Sequence, residues 1–150
     1  MSDLTELYQS VILDHNRRPR NRGAMEGADA HADGKNPLCG DRLTVWVKLD
    51  GDTLADVRFE GAGCAISQAS ASLMTQAVKG RSRDDAEALF EQVHAMLLGK
   101  APAPEGATGA MRSLAALSGV SRFPVRVKCA SLAWHTLRAA LADGTAVTTE

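Results

Sequence analysis

Apolar residues recur at helical spacing near the start of the chain, and a mainly polar stretch of about twenty residues follows. The apolar positions that predict a first helix are Leu4, Leu7, Tyr8, Val11 and Ile12. Asp3 with Glu6 is typical of a capped helix start, and Pro19 ends the helix. The polar residues 17–38 predict a loop. An arginine cluster opens this loop: Arg17, Arg18, Arg20 and Arg22.

A strict alternation of apolar and polar residues predicts a β-hairpin after this loop. The apolar positions of its first strand are Leu43, Val45, Val47 and Leu49. Asp50-Gly51 is a strong signal for a tight turn, and Val57 and Phe59 alternate with charged residues on the returning strand. Leu54 lies out of phase with that alternation, which predicts a β-bulge near Ala55.

Helical periodicity returns in the second half of the chain. The predicted helices cover residues 65–79, the stretch between Ser82 and Gly99, a short segment from Met111 to Gly119, and a last helix opened by Pro124. Residues 100–109 have the composition of a linker, and the tail after Asp143 is expected to fray. We find no repeat or domain boundary. Residues 1–150 are therefore predicted to form a single domain with a flexible tail at about residues 143–150.

Composition narrows the class of protein without choosing one. With 150 residues, of which 45% are hydrophobic and 23% charged, the chain is long and apolar enough to bury a core. The formal charge of −1 and the aromatic content of 4% argue against binding to nucleic acid or anionic membranes. No apolar run could span a bilayer, and the N-terminus shows no secretory signal. We therefore expect a cytoplasmic protein with reduced thiols.

Three cysteines, Cys39, Cys64 and Cys129, fall at the ends of predicted elements. Functional side chains often gather at such positions, and three thiols with the nearby carboxylate of Asp41 would complete the ligand set of one tetrahedral metal. Cys64 and Cys129 lie near predicted helix starts, where the helix dipole should favour the thiolate. The cysteines could instead be small buried hydrophobes. Because their spacing matches no local zinc-finger pattern, the residues alone leave both interpretations open.

Several motifs occur in a distinctive order along the chain. They are Leu7-Tyr8-Gln9 through Asp14-His15, Pro19-Arg20-Asn21, Asn36-Pro37-Leu38-Cys39-Gly40-Asp41, and Phe59-Glu60-Gly61-Ala62-Gly63-Cys64-Ala65-Ile66-Ser67. Over nearly its whole length the chain thereby resembles the U-type iron–sulfur cluster assembly proteins, the IscU/SufU (NifU N-terminal-like) family. The resemblance implies an α+β fold, in which a small antiparallel sheet of about three strands packs against several helices.

Two further features resemble the SufU branch of this family: the added stretch around residues 99–119 and the segment Phe123–Trp134. Lys128 stands where IscU-type scaffolds carry a histidine just before the third cysteine. The SufU resemblance implies that Arg126 lies close to a zinc site. The zinc ligands that it implies are Cys39, Asp41, Cys64 and Cys129.

The resemblance also implies a function, a zinc-dependent sulfurtransferase in iron–sulfur cluster biogenesis. Cys39 would accept persulfide sulfur from a SufS-type cysteine desulfurase, and Arg126 would be a second catalytic residue. Downstream cluster assembly proteins would then receive the sulfur. A histidine of the desulfurase would enter the zinc shell and free Cys39. The main alternative is a scaffold that assembles a transient iron–sulfur cluster on Cys39, Cys64 and Cys129. A purely structural zinc domain is the third interpretation.

The remaining polar candidates allow less specific interpretations. His15 and His94 are expected to have surface or capping roles, and His31 is not expected to reach the site. Nucleic-acid binding by the arginine cluster is disfavoured; solvation of the helix end, or docking of the desulfurase, is favoured. Trp46 faces outward on its predicted strand, under a helix or at a partner interface.

Overall fold

The computed structural model describes residues 3–103, 109–142 and 147–148. In chain order the elements are α1 (Asp3–Arg17), β1 (Ala30–Asn36), β2 (Asp41–Asp50), β3 (Thr53–Ala62), α2 (Ala65–Val78), α3 (Arg83–Leu97), α4 (Gly109–Ala116), a 3-10 helix (Leu117–Arg122), α5 (Pro124–Ala142) and β4 (Val147–Thr148). Half of the predicted linker and most of the predicted flexible tail lie outside the described residues. Within the described ranges, no helix is both long enough and apolar enough to cross a membrane.

The sheet has the strand order β3-β2-β1-β4. β1, β2 and β3 are antiparallel neighbours, and the two-residue β4, which the sequence did not predict, pairs with β1 in parallel. The predicted α+β fold with a small antiparallel sheet is confirmed. Lys48 pairs with Asp56 and Leu49 pairs with Leu54, so Ala55 is left over between them. The bulge predicted near Ala55 is therefore present.

The loop predicted over residues 17–38 is wrong in its second half, because β1 occupies Ala30–Asn36. The buried positions of this strand are Ala32, Gly34 and Asn36. None is a large apolar residue, so the alternation that marks a strand is not visible in the sequence. A Cβ at Gly34 would lie 2.1 Å from Oγ1 of Thr136 on α5. The missing side chain is what allows α5 to approach this strand so closely.

One face of the sheet packs against α2 and α5. Val45, Val57 and Phe59 point from the sheet into this layer and are fully buried. The two helices approach each other through small residues of α2. Among these, Ser70 donates from Oγ to the carbonyl of Ala130 at 2.5 Å and accepts from Nε1 of Trp134 at 3.2 Å. These two bonds satisfy polar groups in the middle of the core.

His15 connects α1 to this core and does not have the surface or capping role expected from sequence. It is buried, and its Nδ1 lies 2.7 Å from Oγ of Ser72 on α2. The Ser72 hydroxyl also accepts a hydrogen bond from the backbone N–H of Arg20 at 2.8 Å. Burial lowers the pKa of His15 to about 4, and the charge of Arg20 contributes to this decrease. The imidazole is therefore neutral in the fold near neutral pH.

We expect this buried histidine to make the protein less stable in mild acid. An exposed histidine in the unfolded chain titrates near pH 6.5, whereas the folded pKa is about 4. The unfolded state therefore binds more protons between these values. The contribution of His15 to the free energy of unfolding is fully present above about pH 6.5, and it falls by up to about 3 kcal/mol as the pH approaches 4. Urea unfolding at pH 7.0, 5.5 and 4.5 measures this change.

His15→Gln should be less stable at neutral pH and should have a flatter stability profile over the same pH range. His31→Gln is the matched control, because His31 is exposed on β1. This control should keep the wild-type profile. An unchanged profile in His15→Gln would show that other groups cause the loss of stability in acid.

Candidate metal centre

Four side chains from three segments of the chain converge at one end of the sheet. Cys39 lies in the turn between β1 and β2, and Asp41 is the first residue of β2. Cys64 is the N-cap of α2, directly after β3. Cys129 lies in the second turn of α5, which crosses the same end of the sheet. Separate segments of the chain thus supply the residues that sequence reasoning selected.

The ligand atoms lie at the distances expected of a small cluster. One ligand atom from each of Cys39, Asp41 and Cys129 lies within 4.8 Å of the other two. The Sγ atoms of Cys39 and Cys129 are 3.2 Å apart, and Sγ of Cys64 is 3.8 Å from Oδ2 of Asp41. All three cysteines are free thiols. The four predicted site residues therefore lie close together. Cys39, Asp41 and Cys129 form one group, and Cys64 adjoins it through its contact with Asp41.

Asp41 is the central residue of this cluster and is almost fully buried. Its Oδ1 accepts a hydrogen bond from the backbone N–H of Cys64 at 2.8 Å. Gly63 makes this contact possible, because a Cβ at that position would lie 2.3 Å from the same oxygen. The backbone of Gly63 also has φ +154°, which is unusual for residues with a side chain. The glycine before Cys64 therefore leaves room for the carboxylate.

The protein's own groups keep two of the thiols protonated. Burial raises the pKa of Cys64, an effect that the nearby Asp41 carboxylate reinforces and the backbone N–H of Ser67 partly offsets. Burial also raises the pKa of Cys129, and the neighbouring Cys39, Asp41 and Cys64 raise it further. The expectation that helix starts would favour these thiolates is therefore wrong. Desolvation and crowding with acidic groups outweigh the helix dipole, and a bound cation would reverse this balance.

The chemistry and spacing of the donors fit a zinc ion. Zinc binds cysteine sulfur and carboxylate oxygen in tetrahedral sites, in which two sulfurs at about 2.3 Å from the metal lie about 3.8 Å apart. The sulfurs of Cys39 and Cys129 would have to separate by about half an ångström to reach that spacing. Sγ of Cys64 and Oδ2 of Asp41 are 3.8 Å apart, which is already close to the spacing of two ligand atoms on one zinc ion.

Arg126 lies on the first turns of α5 and is exposed. Its guanidinium carbon is 4.6 Å from the centroid of the Phe123 ring, and its charge acts on the phenol of Tyr8. Burial raises the pKa of Tyr8, and Arg126 partly offsets that increase. Among the described residues, no hydrogen bond joins Arg126 to a cysteine. These three side chains line a groove of about 390 Å³.

Sequence reasoning missed one residue of the site, Asn36. The side chain is fully buried, and Nδ2 donates to Oδ2 of Asp41 at 3.3 Å and to Sγ of Cys129 at 3.4 Å. Its position three residues before Cys39 could have drawn attention to it. Because residues 17–38 were predicted to be a loop, nothing in the sequence indicated that its side chain points into the core.

The histidines take no part in the cluster. His94 on α3 and His135 on α5 stack around Phe90, with the two imidazole centroids 5.1 Å apart. His31 pairs with Trp46 across β1 and β2 and is exposed. Within the described part of the chain, the group that could hold a metal contains cysteines and a carboxylate and no histidine.

Comparison with known proteins places the chain in a family. Residues 7–130 match the model of the NifU-like N-terminal domain, so the chain belongs to that family. It is 43% identical to the zinc-dependent sulfurtransferase SufU of Bacillus subtilis strain 168, over 94% of this chain and 93% of that protein. It is 40% identical to the iron–sulfur cluster assembly scaffold protein IscU of Streptococcus pyogenes serotype M1, over 94% of this chain and 86% of that protein.

A solved structure supports the same assignment. The structure is from Fervidobacterium islandicum AW-1 and is described as an iron–sulfur cluster assembly scaffold protein for the SUF system. It superposes with a TM-score of 0.79 at 36% identity, over 91% of this chain and 97% of the other. The resemblance to SufU-type members of the family, which the motifs predicted, is confirmed.

We expect Gly63→Ala to damage the site through the carboxylate. The new methyl group would overlap Oδ1 of Asp41, so the carboxylate must leave the N–H of Cys64. Zinc affinity, measured by competition with a chromogenic chelator, should fall by about 10-fold or more. Gly51→Ala is the matched control, because Gly51 also has a positive φ, in a turn remote from the cluster, with nothing within 4 Å of a new Cβ. Equal zinc affinities in the two variants would contradict this account.

Proposed function

We propose that this protein is a zinc-dependent sulfurtransferase in iron–sulfur cluster biogenesis. Cys39 would accept persulfide sulfur from a SufS-type cysteine desulfurase. The observation that carries the proposal is the convergence of three free cysteines and one buried carboxylate from three separate segments of the chain. The similarity to a relative named as a zinc-dependent sulfurtransferase supports it.

Cys39 is the thiol best placed to react with a second protein. It lies in a short turn, next to the exposed Leu38 and Gly40, and is itself half-buried. Cys129 is 2% exposed within α5. Cys64 is half-buried, and its sulfur caps α2 by accepting the N–H of Ser67 at 3.4 Å. Movement of Cys39 therefore disturbs a turn, whereas movement of either other cysteine disturbs a helix.

The proposed transfer is a thiol–persulfide exchange. The sulfur of Cys39 attacks the terminal sulfur of the persulfide on the desulfurase, and a new S–S bond forms on Cys39. The S–S bond of the donor breaks, and its cysteine leaves as a thiolate. No external oxidant or reductant is needed, because the oxidised sulfur is supplied by the donor. The product is a persulfide on Cys39.

Cys39, Asp41, Cys64 and Cys129 would hold the zinc ion, which when bound would keep the thiols deprotonated near neutral pH. Asp41 supplies the one hard oxygen in this sulfur-rich set. Its carboxylate is held by the N–H of Cys64 and by Asn36, so its position does not depend on Cys39. The remaining three residues can therefore stay assembled while Cys39 reacts.

Arg126 would act on the sulfur that arrives. A persulfide is anionic, and an exposed guanidinium three residues before Cys129 can attract and orient it. Stacking on Phe123 limits the directions in which the guanidinium can point. In this role Arg126 contacts the substrate and does not bind the metal.

The surface around the site suits a protein partner. Large exposed apolar side chains within six residues of a cysteine along the chain are Leu38, Phe123 and Val125. Within the arginine cluster, Arg20 is paired with Asp14, and Arg22 donates to the carbonyl of Gly61. Arg17 and Arg18 are exposed. An apolar patch with basic residues nearby is typical of a docking surface, here proposed for the desulfurase and afterwards for downstream cluster assembly proteins.

The alternative function is a scaffold that assembles an iron–sulfur cluster on Cys39, Cys64 and Cys129. The similarity to a relative named as an IscU scaffold favours it. Lys128, where IscU-type scaffolds carry a histidine, favours the sulfurtransferase.

Protein purified without added metal should contain about one zinc per chain and show no visible absorbance. A brown, oxygen-sensitive protein with iron and sulfide would support the scaffold.

We expect Cys39→Ala to abolish stimulation of desulfurase turnover, because the sulfur acceptor is missing. Turnover is followed as alanine formation from cysteine, and the persulfide is located by peptide mass spectrometry. Cys64→Ala is the matched control, since it removes a ligand of the same kind and leaves the acceptor. Cys39 has no special role if both variants lose stimulation equally at equal zinc content.

Arg126→Ala in the same assay should lower stimulation by about 10- to 100-fold and leave zinc content unchanged, because the guanidinium attracts and orients the persulfide. Arg122→Ala is its control, since Arg122 is an exposed arginine lining the same groove. Equal effects of the two substitutions would indicate general basicity and remove Arg126 from the mechanism.

A further inference from the structure

The side chain of Asn36 is the least expected group in the site. It is fully buried at the end of β1, where it faces α5 and the first residue of β2. Burying an amide costs free energy unless its polar atoms are paired. Its Oδ1 is buried with no hydrogen-bond partner among the described residues. The amide thus retains this position although half of its hydrogen-bonding capacity is unused there.

The nitrogen of the amide is directed at two of the cluster atoms that could bind a metal. Nδ2 is 3.3 Å from Oδ2 of Asp41 and 3.4 Å from Sγ of Cys129. Both atoms are acceptors when Asp41 is ionised and Cys129 is a thiolate. An amide nitrogen can donate to both at once, whereas an amide oxygen would repel both. The chemistry of the neighbours therefore fixes which way the amide faces.

The three sulfurs differ in the N–H groups that they accept. Cys64 accepts the backbone N–H of Ser67, and Cys129 accepts the amide of Asn36. Among the described residues, Cys39 accepts no N–H, and its sulfur accepts a hydrogen bond only from the thiol of Cys129. A hydrogen bond to a thiolate stabilises its charge and lowers its readiness to attack. Cys39 is therefore the one sulfur of the three that no N–H of the described residues restrains.

We propose that Asn36 determines which thiol reacts. Its amide holds Asp41 and Cys129 in place and lowers the reactivity of the Cys129 sulfur, so that Cys39 reacts with the incoming sulfur. Asn36 is thus a positioning residue, which acts through its two neighbours and does not touch the incoming sulfur. The inference deepens the proposed sulfur transfer and rests on it for its biological meaning. The order of thiol reactivity can be measured independently.

The experiment compares Asn36→Leu and Asn36→Ala with wild type in zinc-loaded protein. Leucine keeps the branched shape of asparagine and removes both hydrogen bonds, so it separates the loss of the amide from exposure of Cys129. Thr136→Val is the matched control. Thr136 is another fully buried polar residue at the contact between β1 and α5, and its hydroxyl bonds within the helix to Leu132.

Two readouts do not depend on sulfur transfer: zinc affinity by chelator competition, and the rate of iodoacetamide alkylation at each cysteine by peptide mass spectrometry. In wild type Cys39 should react first and Cys129 last. In both Asn36 variants the rate at Cys129 relative to Cys39 should rise about tenfold, and zinc affinity should fall about 10- to 100-fold. After incubation with desulfurase and cysteine, part of the persulfide should appear on Cys129. Thr136→Val should match wild type.

Several results would overturn the proposal. One is a wild-type protein in which Cys129 reacts as fast as Cys39, a result that requires no variant. Another is an unchanged ratio of the alkylation rates of Cys129 and Cys39 in Asn36→Leu, even with weakened zinc binding, because a merely structural role predicts that pattern. If wild type accepts no sulfur from any desulfurase, the proposed function fails. The alkylation and chelator data still decide the role of Asn36.

Discussion

The close packing of α5 against β1 is the contact on which the site depends. It brings Cys129 over the end of the sheet, where the turn after β1 carries Cys39 and the start of β2 carries Asp41. The contact requires glycine at position 34, since any side chain there would meet Thr136. A helix displaced by even one side-chain width would separate the sulfurs. The cluster of cysteines and Asp41 therefore depends on backbone packing as well as on the choice of side chains.

Much of this arrangement could be predicted from sequence, for identifiable reasons. The β2–β3 hairpin was visible because Val45, Val57 and Phe59 occupy alternate, fully buried positions. β1 was not visible, because a strand that approaches a helix closely is built from small and polar residues. The residues of the site likewise divide into those that the sequence indicated and one that it did not. The three cysteines and Asp41 were found through motifs and family resemblance, whereas Asn36 was missed because its role depends on the inward face of β1.

The electrostatics of the thiols required coordinates as well. Local sequence places Cys64 and Cys129 near helix starts, which favours the thiolate. The fold adds burial and mutual crowding, and these raise the pKa of both groups. The protein has therefore assembled a concentrated set of acidic groups whose charges are costly without a cation. Such a site gains affinity for a divalent ion because the ion removes a repulsion that folding created.

The contact between Cys39 and Cys129 joins residues that are 90 positions apart in the chain. An ion shared by these sulfurs would act on the unfolded chain as a crosslink does, because it would close a long loop that random motion rarely closes. Losing one sulfur from such a crosslink need not open the loop, provided that the other ligands hold. With such an ion bound, the proposed reaction of Cys39 would leave the loop closed by Cys64, Cys129 and Asp41.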